Sequence, residues 1–146
     1  MKLSTKARYG IRALLDLARH DIGEPVPLKD IAQRQDVSMT YLEHLVTPLI
    51  NTGIIRSIRG SRGGIVLAKH PSMIKLSDIV WHLEGSTAPV ECVDCPENCQ
   101  RSDDCVTREV WLDLKQAIDR VLESITLEDL VERQKQKEQY INMYYI

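Results

Sequence analysis

Between Leu28 and Ala68 the hydrophobic period of this chain changes from three-and-four to two, and the change brackets a tip made of arginine and glycine. Leu28, Ile31 and Ala32 mark a short helix after Pro27. Leu42, Leu45 and Leu49 mark a second, which Ser38 can cap. Asp36 and Val37 leave room only for a tight turn between them, and Asp visits positive φ more readily than most residues. Pro48 removes a backbone donor late in that helix and should bend its last turn; Asn51 to Gly53 stop it. Ile54–Ile58 and Ile65–Ala68 then read as short strands around Arg59-Gly60-Ser61-Arg62-Gly63-Gly64. An earlier helix, capped by Ser4, carries Leu3, Ala7, Ile11, Leu14, Leu15 and Ala18 at helical spacing and ends at Gly23 and Pro25. Three helices followed by a two-stranded ribbon is the order of a winged helix-turn-helix. A nucleotide phosphate loop is excluded, because a strand follows the glycines and no Lys-Ser/Thr pair closes the run.

Charge separates the chain in the same place. Residues 1–70 carry 11 Lys/Arg against 6 Asp/Glu, and residues 71–146 carry 8 against 15. A basic half beside an acidic half suggests that only the first half meets a polyanion. With Leu42, Leu45 and Leu49 inward, Met39, Thr40, Glu43, His44 and Thr47 turn outward beside Ser38. Thr40 and His44 offer hydrogen bonds to base edges or phosphates. Glu43 is repelled by phosphates unless it accepts from a cytosine amine, so it should make binding selective. Arg59, Ser61 and Arg62 sit at the ribbon tip, where the glycines let backbone approach phosphates or a minor groove. Lys6 and Arg8 read as phosphate contacts that add affinity rather than sequence information.

All four cysteines fall between 92 and 105, spaced Cys92-x2-Cys95-x3-Cys99-x5-Cys105. Thiolates are soft ligands for zinc or iron–sulfur centres. Only one C-x2-C pair is present, so a zinc ribbon fits poorly. Asp94, Glu97, Asp103 and Asp104 interleave the thiols and argue against an apolar buried cluster. A metal or cluster site and free or redox thiols remain the two readings of the spacing itself. His20, His44, His70 and His82 are dispersed and no nucleophile–base set is visible, so an enzyme is not expected.

Ser77 reads as the opening of a further short helix through Leu83, and residues 85–105 as a polar loop. A long helix then runs from Thr107 to about Ser124, roughly 27 Å at ~1.5 Å per residue. Val110, Leu114, Ala117, Val121 and Leu122 form its stripe, widened by Trp111, Ile118 and Ile125. So broad a face asks for a partner, the chain's own N-terminal domain or a two-fold mate as well, and such a mate would set two reading heads roughly 34 Å apart on a near-palindromic double-stranded site. Thr126 and Asp129 resemble a capping box for a last helix, whose apolar tail, Tyr140 to Ile146, needs cover. The expected architecture is mainly α (α+β): a winged helix-turn-helix domain over 1–84, a cysteine-bearing loop over 85–106, and a dimerisation helix with a C-terminal helix over 107–146. No apolar run reaches the ~18 residues of a membrane span. Arg12 and Asp16 interrupt the start where an export signal would be apolar, so a cytoplasmic protein is expected.

Four stretches carry a resemblance: MKLSTKARYGIRALLDLA, VPLKDIAQRQDVSMTYLEHL, RSIRGSRGGIVLAK, and Cys99-x5-Cys105-Val-Thr-Arg-Glu-Val-Trp. Together they resemble the IscR-type iron–sulfur cluster regulators, bacterial winged-helix repressors that include NsrR-like nitric-oxide-sensing and CymR-like cysteine-metabolism branches. The resemblance implies a homodimeric regulator of cluster biogenesis or of redox and iron stress. It implies three cysteines holding an iron–sulfur cluster, [2Fe–2S] in preference to [4Fe–4S]. Cys99 and Cys105 match the last two ligands; Cys92 is the preferred first, with Cys95 a fourth ligand or a spare thiol. Arg108 stands where IscR-like members usually carry a histidine, and a protonated guanidinium cannot ligate iron. Arg8 stands where NsrR-like members carry an acidic ligand. Glu43 matches a recognition-helix carboxylate thought to tune which sites are read. Pro48 and Ile65 also depart from the common residues.

Overall fold

The computed structural model describes residues 2–145; Met1 and Ile146 lie outside it. Three helices come first: α1 (Thr5–His20), α2 (Leu28–Gln35) and α3 (Met39–Asn51). An antiparallel hairpin follows, β1 (Ile55–Ile58) and β2 (Gly64–Leu67), with Ile55 opposite Leu67 and Ile58 opposite Gly64. Then come α4 (Leu76–Glu84), a four-residue α5 (Glu91–Asp94), α6 (Val106–Glu123) and α7 (Leu127–Tyr144). This is a winged helix-turn-helix with a two-stranded wing and long C-terminal helices.

Local chemistry sets the boundaries. Ser4 and Ser38 each place a side-chain oxygen on a free N–H of the first turn, from Ala7 and Tyr41. Asp36 closes α2 at φ 53° and gives its N–H to the Ala32 and Gln33 carbonyls. That left-handed residue is the sharp turn of the motif. Thr126 and Asp129 form the reciprocal capping box of α7.

The core gathers Leu14 and Leu17 from α1, Ile31 from α2, Leu42 and Leu49 from α3, Ile55 and Ile65 from the wing, and Ile79 from α4. The expected stripe of α1 faces the core, with Ala7 and Leu14 buried and Ile11, Leu15 and Ala18 half-buried against it; Ala13 and Leu17 are buried as well, and Leu3, ahead of the helix, is 45% exposed. Leu127 is fully buried in the same core, so α7 closes back onto the winged unit.

Three sequence expectations are corrected. Helix α4 begins at Leu76 with Lys75 before it, not at a Ser77 cap, because the Ile125 carbonyl accepts the Leu76 N–H at 2.9 Å. The segment 85–105 is not an unstructured loop: it holds α5 and a 3₁₀ turn at Pro96–Asn98. Helix α6 starts one residue before Thr107, with Cys105 at its N-cap. The apolar tail is open in the single chain. Tyr140, Ile141, Met143, Tyr144 and Tyr145 are all more than half exposed.

Candidate nucleic-acid interface and thiol loop

Burial of Leu42, Leu45, Val46 and Leu49 fixes the rotation of α3. Met39, Thr40, Glu43, His44 and Thr47 are left exposed, with Ser38 just ahead of the helix. Two of these side chains are partly committed. The Ser38 oxygen caps the helix, and the Thr47 hydroxyl donates to the Glu43 carbonyl at 2.8 Å. Thr47 therefore meets a ligand as an acceptor, while Thr40, Glu43 and His44 make no side-chain hydrogen bond among the described residues.

Helix α1 is tied to α3 by an aromatic contact and to α2 by polar ones. Tyr41 meets Tyr9 edge-on with ring centroids 6.0 Å apart. Arg12 lies 4.9 Å over the Tyr9 ring and donates to the Gln35 side chain at 3.0 Å. Gln35 in turn donates to Asp16 at 2.9 Å. The Tyr41 hydroxyl is buried with no hydrogen-bond partner, so this residue contributes to the contact through its ring.

The wing presents Arg59, Ser61 and Arg62, all exposed. Its glycines have separate jobs. Gly60 sits at φ 115°, which L side chains rarely adopt. A Cβ on Gly64 would lie 2.3 Å from the Val26 carbonyl oxygen, where β2 bridges the segment before α2. Arg56, exposed on β1 beside buried Ile55, is a basic group that the sequence reading misses. Lys6 and Arg8 are exposed on the first turns of α1.

All four cysteines are free thiols and half-buried. Cys92 lies in α5, Cys95 ends it, Cys99 follows the 3₁₀ turn, and Cys105 caps α6. The Cys105 sulfur lies 3.2 Å from the Thr107 hydroxyl. That hydrogen bond, with the Arg108 backbone N–H and guanidinium charge, holds the thiol below its ordinary range. Arg108 also donates Nε to the Cys92 carbonyl at 2.8 Å, joining the first cysteine's backbone to the helix after the last. The donor chemistry fits a thiophilic centre, four soft thiols in one short segment. The positions are dispersed in this conformation: among the described residues, no three His, Cys, Asp or Glu side chains converge.

Helix α6 buries none of its residues completely. Its stripe is divided between two directions. Leu122, and Ile125 just past the helix, pack on the chain's own core, and Ile118 lines a cleft with Leu3 and Val80. Val110 and Val121 are 55% and 58% exposed and Trp111 is 36% exposed; Leu114 and Ala117 are half-buried.

The chain matches, over residues 3–133, the family described as Rrf2, iron-dependent transcriptional regulator. The chain belongs to the Rrf2 family of transcriptional regulators. Among its relatives, the protein Rrf2 of Nitratidesulfovibrio vulgaris is 45% identical over 131 residues, covering 90% of this chain and 87% of the relative. The regulator CymR of Bacillus subtilis is 42% identical over 146 residues, the whole of both chains. The structure of T. potens IscR matches with a TM-score of 0.77 and 40% identity, covering 94% of this chain and 90% of that one. Membership in the Rrf2 family makes the chain a DNA-binding transcriptional regulator. No helix of the Rrf2-family chain is long and apolar enough to cross a membrane among the described residues.

Proposed function

We propose that the chain works as a homodimer that binds near-palindromic operators, and that its cysteine loop holds an iron–sulfur cluster governing that binding. One observation carries the reading: Cys105 is the N-cap of α6, so the thiol loop runs directly into the helix with the open apolar face. Any change in loop order is thereby felt at the surface that would pair two copies. Helix α3 would enter the major groove with Thr40, Glu43 and His44 toward base edges. Arg59 and Arg62 would follow the backbone or minor groove, with Lys6 and Arg8 on phosphates. Val110, Trp111, Leu114, Ala117 and Val121 would meet the same residues of a second chain. Cys92, Cys99 and Cys105 would be ligands, with Cys95 a fourth or a spare. A bound [2Fe–2S] cluster would supply a centre whose gain or loss reports iron and redox state. The target genes would be those of cluster biogenesis or of redox and iron stress.

Oxygen-free purification followed by iron, sulfide and visible-spectrum analysis tests the cofactor. Gel shifts with genomic fragments, comparing wild type with a variant carrying Ser at Cys92, Cys99 and Cys105, test its role. Iron-free, colourless protein that binds every operator as the variant does would remove the cluster from the mechanism.

A second reading has its own support. The dispersed thiols, the guanidinium at Arg108 and the end-to-end match to CymR favour a cluster-free regulator that senses a metabolite or partner enzyme. In that case DNA binding is intact in iron-free protein and changes on adding the effector.

A further inference from the structure

The cysteine loop is fastened to α6 at two places. Near the start of the helix, Arg108 Nε donates to the Cys92 carbonyl oxygen at 2.8 Å. Further along, one oxygen of Asp119 accepts from the Thr87 hydroxyl at 2.5 Å and the other from Lys115 Nζ at 2.8 Å. Positions 108 and 119 lie about three turns apart, roughly 16 Å, and on nearly the same face of the helix. The strap from Thr87 to Cys92 is therefore held at both ends along one face of α6. It is folded beyond that span as well. Val93 is buried, the Cys95 N–H meets the Glu91 carbonyl at 2.9 Å, and the Asn98 amide donates to the Glu91 carboxylate at 2.6 Å. In this fastened form no three candidate donors converge among the described residues.

We propose that fastening of the strap and gathering of the thiols exclude one another, so that metal capture requires Arg108 to release the Cys92 carbonyl. The inference rests on the reading of the thiols as metal ligands. The pinned atom belongs to the residue whose sulfur is the proposed first ligand, so while the bond stands the Cys92 backbone stays against α6. Arg108 cannot substitute as a ligand, because a guanidinium has donors and no acceptor. Its bond to the carbonyl is charge-assisted and therefore among the stronger contacts of the loop. The strap has two states, one fastened with thiols dispersed and one freed with thiols gathered. Arg108 is a positioning residue that favours the first.

Cobalt(II), added to full-length metal-free protein without oxygen, is the probe, read by thiolate-to-metal absorbance. Thr87→Val releases the far end of the strap with no change of charge beside the thiols. Arg108→Lys keeps the charge and removes the planar Nε donor. Each is expected to bind cobalt(II) about tenfold tighter than wild type, the scale of one charge-assisted hydrogen bond. In the metal-free variants, amide exchange should quicken at Val93 and Cys95 while that of α1 to α3 holds, which separates release from unfolding. Cobalt binding by the variants alone also supports the proposal. Wild-type binding whose affinity neither variant exceeds overturns it and leaves the metal reading standing. No thiolate absorbance in any of the three proteins overturns both.

Discussion

Arg34 lies across the carboxylate of Asp16, placing Nε at 3.0 and 3.1 Å from its two oxygens and Nη2 at 2.7 Å from one of them. Asp16 is only 4% exposed, the one buried charged residue among those described. The pair joins the middle of α1 to the last turn of α2, two residues before the left-handed Asp36. Arg12 adds a second tie from α1, donating to both the side chain and the carbonyl of Gln35. The start of α3 is therefore set by α1 through α2, and with it the aim of the residues that would read DNA.

The two halves of this pair should not be equivalent. Arg34→Ala strands a buried carboxylate with Gln35 as its remaining donor, and should cost about 3 kcal/mol. Asp16→Ala leaves an Arg34 side chain that is already 35% exposed and can return to water, so it should cost less. Urea denaturation of the two variants measures the difference.

Acid should weaken the same contact. Burial pushes the Asp16 carboxyl up, but hydrogen bonds from Arg34 and Gln35 and the Arg34 charge outweigh it, so the folded value lies below 3.8. Unfolded Asp titrates near ~3.9. The contribution to stability is then complete above that value and is lost as pH falls through the folded one. The urea midpoint should drop below about pH 4, and Asp16→Asn should lack that part of the decline.

Glu43 should act on selectivity more than on affinity. Glu43→Gln removes a charge that phosphates repel, so binding to non-cognate sequences should rise. Discrimination at the contacted cytosine should shrink, on the scale of ~1–3 kcal/mol for a base contact. Titration of a panel of single-base operator variants reads both effects.

The wing should behave in the opposite manner. Arg59→Ala and Arg62→Ala should weaken binding, and each phosphate that the variant no longer neutralises should lower the slope of log affinity against log salt by ~0.9. Arg56→Ala, from the exposed face of β1, is expected to do the same if β1 lies along the backbone. Binding isotherms over a range of salt concentrations separate these residues from base-reading ones.

Gly64→Ala should damage the fold although the substitution is small. The new Cβ would meet backbone, the Val26 carbonyl carbon and oxygen, rather than a movable side chain. The Val26–Ile65 bridge would have to open, and overpacking of this kind costs typically ~1–3 kcal/mol. A thermal melt of the variant checks it.

Elements with strong hydrophobic periods are legible in the sequence alone. Leu42, Leu45 and Leu49 place the inward face of α3, and Ile54 to Ala68 place the wing, because local spacing decides both. Asp36 as the turn residue follows from its tolerance of positive φ. What escapes such reading depends on distant partners. Nothing local marks Asp16 as buried, because its counterion is eighteen residues away on another helix. The start of α4 is set by a carbonyl at Ile125. Arg108 reads as the absence of a ligand, whereas its Nε has a partner in the Cys92 carbonyl that no spacing rule could reveal. Leu122 and Ile125 share a stripe with Val110 and Val121, yet the first pair packs on the core and the second is exposed.

A helix of eighteen residues that fully buries none of them within a single copy is poorly anchored by that copy alone. If a second copy completes its packing, part of its stability is borrowed through mass action. The melting temperature should then climb with the amount of protein in the cuvette, and dilution alone should loosen α6 while the winged core persists.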